Sequence, residues 1–105
     1  MQKTFTEKDE NLFKYVVDTF WSSANISLGK IKNPVTNKID VNLVQAEYYL
    51  DVLSMLQKKT KNNLTEYEEQ MLINIVSELR MNLIEIRQSI ENKDNSSNRS
   101  AIKKK

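Results

Sequence analysis

The apolar residues of this chain recur with the period of a helix, not of a strand. Phe13, Val17, Phe20 and Ala24 follow one another at spacings of three and four, with a second row of Leu12 and Val16 and with Trp21 and Leu28 on the flank. Alternation of period two fails across VVDTFW, so an amphipathic helix is predicted over about residues 6–28. Thr6, with Asp9 three places on, is its expected N-cap. Gly29 ends it, where a glycine relieves the left-handed conformation past a helix.

The pattern then breaks. Residues 30–41, KIKNPVTNKIDV, read as successive turns at Asn33-Pro34 and Thr36-Asn37. Ile31, Val35, Ile39 and Val41 predict a connection pinned to the helices. A second helix is expected over about residues 42–61, with Asn42 as cap and Leu43, Ala46, Leu50 and Leu53 on its apolar face. Tyr49, Val52 and Leu56 widen that face, and Lys58, Lys59 and Lys61 meet the negative end of the helix dipole.

The third pattern is the strongest. Thr65-Glu66-Tyr67-Glu68 has the form of a capping box, in which Thr65 and Glu68 satisfy each other's backbone amides. Leu72, Val76, Leu79, Leu83, Ile86 and Ile90 then form an unbroken heptad seam, predicting a helix over about residues 65–92. Such a helix is ~40 Å long and the second only ~30 Å, so the turns around Leu83 to Ile90 are expected to overhang the hairpin. Apolar residues on an overhang need a partner. Leu79, Leu83, Ile86 and Ile90, with Trp21, are therefore the candidate interface residues, and the expected assembly is a homodimer. The fold class read from these patterns is all-α: a helix beside a tight helical hairpin in a dimeric bundle, with residues 1–92 as one helical domain.

Composition narrows the chemistry. The chain has no Cys and no His, which excludes a disulfide framework, a cysteine nucleophile, a Ser-His-Asp arrangement and the usual zinc sites. Residues 93–105 hold five basic residues against one acid, a net +4, which leaves −2 on residues 1–92 out of the overall +2. That Ser/Asn/Lys segment is expected to be a disordered tail. A nucleic-acid-binding fold clusters its basic residues on the folded body, so nucleic acid is not the expected partner, and an accessory contact through the tail is kept as an alternative. The start of the chain is charged and no run approaches ~20 apolar residues, so no membrane contact and a cytoplasmic location are expected.

The run from Leu28 to Met81 resembles the small bacterial family catalogued as domain of unknown function 1844. The resemblance rests on Leu28-Gly29, Pro34 and Thr36, then Leu43, Ala46 and Leu50-Asp51 on a helix. Lys59-Thr60-Lys61, Asn63-Leu64-Thr65, Glu69, Leu72 and Leu79-Arg80 complete it. Asn37 and Asn62 stand where that family tends to have glycine, and Ser27 where it often has histidine. Asn is the next-best residue for a left-handed turn, so both turns are expected to survive. The resemblance implies a fold and no particular activity.

Candidate chemistry is sparse. Glu66 and Glu69 form a Glu-x-x-Glu pair of the kind that holds magnesium in helical nucleotide hydrolases, with Glu47 and Asp51 as the nearest second pair. Acids in a first helical turn are favoured by the dipole alone, so a structural role is expected for them. Asp51 and Arg80 adjoin apolar faces and are read as register-setting ions. Gly29, Asn62, Thr65 and Glu68 are read as structural residues of the turns. No catalytic residue and no cofactor is expected. The function expected is a non-enzymatic structural or interaction module, with a protein partner left unspecified.

Overall fold

A computed structural model of the protein describes the backbone of residues 5–103 and the side chains of residues 5–93. Three helices follow in order, α1 (Glu7–Ser27), α2 (Leu43–Lys59) and α3 (Glu66–Lys103), with no strand among the described residues. The molecule is all-α.

Each helix starts where its own side chains can satisfy the free amides. Thr6 Oγ1 accepts from the Asp9 amide at 3.2 Å and Asp9 accepts from the Thr6 amide at 2.9 Å, a complete capping box. Asn42 Oδ1 accepts from the Gln45 amide at 3.0 Å. Thr65 Oγ1 accepts from the Glu68 amide at 3.1 Å while Glu68 accepts from the Thr65 amide at 2.9 Å. Each cap places a side-chain oxygen on an amide that has no intrahelical acceptor.

α1 ends in a Schellman motif: the Lys30 amide donates to the Asn25 carbonyl and the Gly29 amide to the Ile26 carbonyl. Gly29 takes φ 80°, and a Cβ there would lie 2.9 Å from Cγ2 of Val41. Asn37 (φ 59°) and Asn62 (φ 74°) also take the left-handed conformation. Short polar side chains make that region tolerable for asparagine.

The apolar residues of the connection from Lys30 to Val41 pin it only at its end, where Cγ2 of Val41 and of Ile39 lie over Gly29. Val35 is 90% exposed, and Ile31, Ile39 and Val41 are also exposed. The loop is instead closed by its own hydrogen bonds, Asn37 amide to Asn33 carbonyl and Asn33 amide to Lys38 carbonyl, with Asn33 Oδ1 accepting from the Val35 amide. The Asn42 amide donates to the Ser27 carbonyl at 2.8 Å and ties the end of the loop to α1.

Contacts between helices settle their directions. Ser27 meets Gln45 and Phe20 meets Tyr49, so α2 runs antiparallel to α1. Ser54 meets Arg80 and Glu47 meets Arg87, so α3 runs antiparallel to α2 and parallel to α1. Val17, Ala24 and Leu28 of α1 and its C-cap, Ala46, Leu50 and Leu53 of α2, and Leu72, Val76, Leu79 and Leu83 of α3 form the buried core. Burial of each leucine or valine side chain contributes roughly 1.5–3 kcal/mol, and of each alanine methyl less.

Two expectations about α3 change. The helix continues to Lys103, past Asn92 and through the segment expected to be disordered; no Gly or Pro interrupts the chain from Glu66 to Lys103. The overhang also begins later than its length suggests. Leu79 and Leu83 are buried in the chain's own core and Ile86 packs against it, leaving Ile90 as the exposed member of the seam. Side chains lean toward the N-terminus of their helix. In an antiparallel hairpin those on α2 therefore lean away from the turn and those on α3 lean back toward it. Partners consequently meet at unequal distances from the turn, and α2 still flanks α3 at Arg87.

Candidate functional site

The polar turn between α2 and α3 is the first place to look for chemistry. A cleft of about 390 Å³ opens at this end of the molecule, between Phe5, Asp9, Glu10 and Phe13 of the α1 end and Thr60, Asn63, Leu64, Thr65 and Glu68 of the turn. Two of its acids are already occupied. Asp9 and Glu68 each accept the amide of the residue that caps their own helix. Glu68 is also buried, at 7% exposure. Thr60 donates to the Leu56 carbonyl at 2.6 Å and closes α2. These side chains are consumed in starting and stopping helices.

The four carboxylates considered for magnesium are not brought together. Glu66 and Glu69 are exposed in the first turn of α3. Glu47 is held 2.8 Å from Arg87. Arg87 lies 18 residues along α3 from Glu69, or ~27 Å at 1.5 Å per residue. Asp51 is exposed and has no hydrogen-bond or ion-pair partner among the described residues. No group of three His, Cys, Asp or Glu that could hold a metal ion forms among the described residues. Nor do Asp51 and Arg80 pair: Arg80 donates from Nη2 to Ser54 Oγ at 3.3 Å, in the same offset register that joins Arg87 to Glu47.

The three grooves between helices differ in character. The α2–α3 groove is charged, bordered by Glu47, Asp51, Lys58, Arg80 and Arg87. The α1–α3 groove carries the Lys14–Asp18 ion pair at 2.8 Å and the Trp21 Nε1 donation to Glu78 at 3.3 Å. The hydrogen bond to Asp18, and then the attraction of its charge, raise the pKa of Lys14 above the ordinary 10.5. Trp21, expected at an intermolecular contact, is half-buried and joins α1 to α3.

The α1–α2 groove is different. On α1, Phe20 and Ser27 face α2. Stepping back four residues turns about 40° farther outward, to Val16 and Ser23 and then to Leu12 and Thr19. On α2 the same rotation leads from Tyr49 and Gln45 to Val52, Tyr48 and Met55. Leu12 is 54% exposed, Val16 38%, Tyr48 65% and Met55 43%. Leu12, Val16, Thr19 and Ser23 of α1 and Gln45, Tyr48, Val52 and Met55 of α2 include no charged residue, and Lys8 and Lys59 continue the two rows at one end. Tyr48 is braced from within, since its ring lies 6.1 Å from that of Tyr49, which lies 6.0 Å from Phe20.

Tyr48 and Met55 are the residues that periodicity did not single out. Their signal was present: α2 carries more apolar residues than one stripe can hold. No described helix is long and apolar enough to cross a membrane. The side chains of the basic tail, Arg99 and Lys103 to Lys105 among them, lie outside the described residues.

Three capped helices around one aliphatic core define a small all-α protein, with Thr6, Asn33, Asn42, Thr65 and Glu68 holding its caps and turns. The model of the family described as Domain of unknown function (DUF1844) matches residues 10–85, well over half of the chain, and the chain belongs to that family. Neither a curated protein nor a solved structure matches it.

Proposed function

We propose that this protein is a non-enzymatic, homo-oligomeric interaction module of the bacterial cytoplasm. The observation that carries the reading is the exposed, uncharged α1–α2 face formed by Leu12, Val16, Tyr48 and Met55. Contiguous apolar patches beyond a few hundred Å² are uncommon on monomers and mark interaction sites. The four acids that a hydrolase of nucleotides would use support the same reading, because Glu47 is held by Arg87, 18 residues along α3 from Glu69 and so far from the Glu66–Glu69 pair.

Sedimentation velocity across the micromolar range tests the proposal. A sedimentation coefficient that rises with concentration supports self-association, and a monomer throughout the range overturns it. Magnesium addresses the enzymatic alternative. A bound ion raises the melting temperature by mass action, so an unchanged melt in millimolar magnesium is the expected result. A clear rise would favour the hydrolase.

A further inference from the structure

We infer that a second copy of this chain covers the α1–α2 face, the two copies being related by a two-fold axis near Val52. The inference rests on the proposed self-association and assigns it a surface, in place of the α3 seam that the chain buries for itself.

Charge selects this groove among the three. In a two-fold interface the same patch meets itself, so a residue near the axis faces its own copy. Glu47, Asp51 and Arg87 border the α2–α3 groove, and Lys14, Asp18 and Glu78 the α1–α3 groove, so pairing through either would desolvate charges or set like against like. The α1–α2 face carries charge only at one end, where Lys8 continues the row of Leu12 and Lys59 that of Met55. Both lie away from an axis at Val52, so neither meets its own copy there, and no acid on the face selects a basic partner.

Area points the same way. The exposed parts of Leu12, Val16, Tyr48 and Met55, with the small polar residues between them, amount to on the order of 600 Å² per chain, so two copies bury at most about 1,200 Å², the lower end of specific interfaces. The arrangement along the face is self-complementary. Antiparallel packing sets Tyr48 beyond one side of Val52 and Leu12 with Met55 beyond the other. A two-fold axis lying in the face and crossing α2 at Val52 exchanges these two ends, and so lays Tyr48 against the partner's Met55 and beside the partner's Leu12. Tyr48, stiffened by Tyr49, has the character of an interface anchor: large, amphipathic and cheap to order.

Two sets of variants test the surface. Tyr48→Glu and Met55→Glu place carboxylates at exposed positions, and each is expected to weaken the dimer roughly tenfold or more while leaving the far-ultraviolet circular dichroism unchanged. Ile84→Glu, at an exposed position on α3, is expected to leave it as tight as the parent. The absence of cysteine provides a measurement that does not depend on tolerance of a charge. Val52→Cys should give a disulfide-linked dimer on mild oxidation, and Asn74→Cys on the outer side of α3 should not.

A parent that dimerises, but whose dimer resists both glutamates and does not cross-link through Val52→Cys, would overturn this surface and leave self-association standing. Loss of the dimer in Ile84→Glu alone would return the interface to α3. A parent that is monomeric throughout would overturn self-association itself; binding of an unrelated helix by that monomer would give the face another occupant.

Discussion

The α1–α2 and α2–α3 grooves share α2 and the core beneath it, yet they present opposite surfaces. On the α3 side α2 shows Glu47, Asp51, Ser54 and Lys58, and the groove is bridged by Arg80 to Ser54 and Arg87 to Glu47. On the α1 side α2 shows Tyr48, Val52 and Met55, and no ion pair crosses it among the described residues. Charged side chains spanning a groove keep it wet and monomeric at little energetic gain, because exposed ion pairs contribute only ~0–1 kcal/mol. An uncharged groove leaves apolar area in water that a partner can remove. One helix thus carries charged, bridged surface on one side and exposed apolar surface on the other.

The largest way to break the comparison is to remove what both grooves stand on. Leu53 is 0% exposed, and Leu53→Ala should destabilise the fold by about 2–5 kcal/mol in urea titration, with loss of association following from loss of structure. Next comes Gly29, at the loop end of the α1–α2 pair. Gly29→Ala places a side chain at φ 80° and 2.9 Å from Val41 Cγ2; left-handed strain alone costs roughly 1–2 kcal/mol, readable as a lower melting temperature.

Arg87→Ala sharpens the contrast at smaller scale. Its ion pair with Glu47 is about half exposed on both sides, so the expected loss is below ~1 kcal/mol and shrinks with added salt. Self-association should be unchanged, whereas Tyr48→Glu has the reverse profile. The smallest effect belongs to the Lys14–Asp18 pair. Because folding raises the pKa of Lys14, its contribution is fully present below pH 10.5 and is lost as pH rises through the higher folded value. Asp18→Asn should lower that pKa in an NMR titration and leave the fold at neutral pH intact.

Much of the fold was legible in the sequence because its determinants are local. The seam from Leu72 to Ile86 needs only the helical period to be recognised. Thr65 and Glu68 bond within three residues of each other. The left-handed turns fall at Gly29, Asn37 and Asn62, residue types whose backbone tolerance is intrinsic. Leu12 and Val16 were not legible in the same way. They continue the apolar surface of α1, and only the position of α2 leaves them outside. Val35, read as a pin, is exposed, and its turn is held by hydrogen bonds to Asn33.

The sequence by itself determined where the helices start and stop and which stripe of each is most apolar, since caps, turn residues and periodicity act over a few residues. Tertiary structure decided the rest. The packing of α3 on α2 and α1 set the register that buries Leu83 and joins Arg87 to Glu47. The angular placement of three helices left α1 and α2 with one apolar stripe more than a three-helix core can enclose. That surplus depends on how many neighbours each helix has, a quantity no single helix encodes.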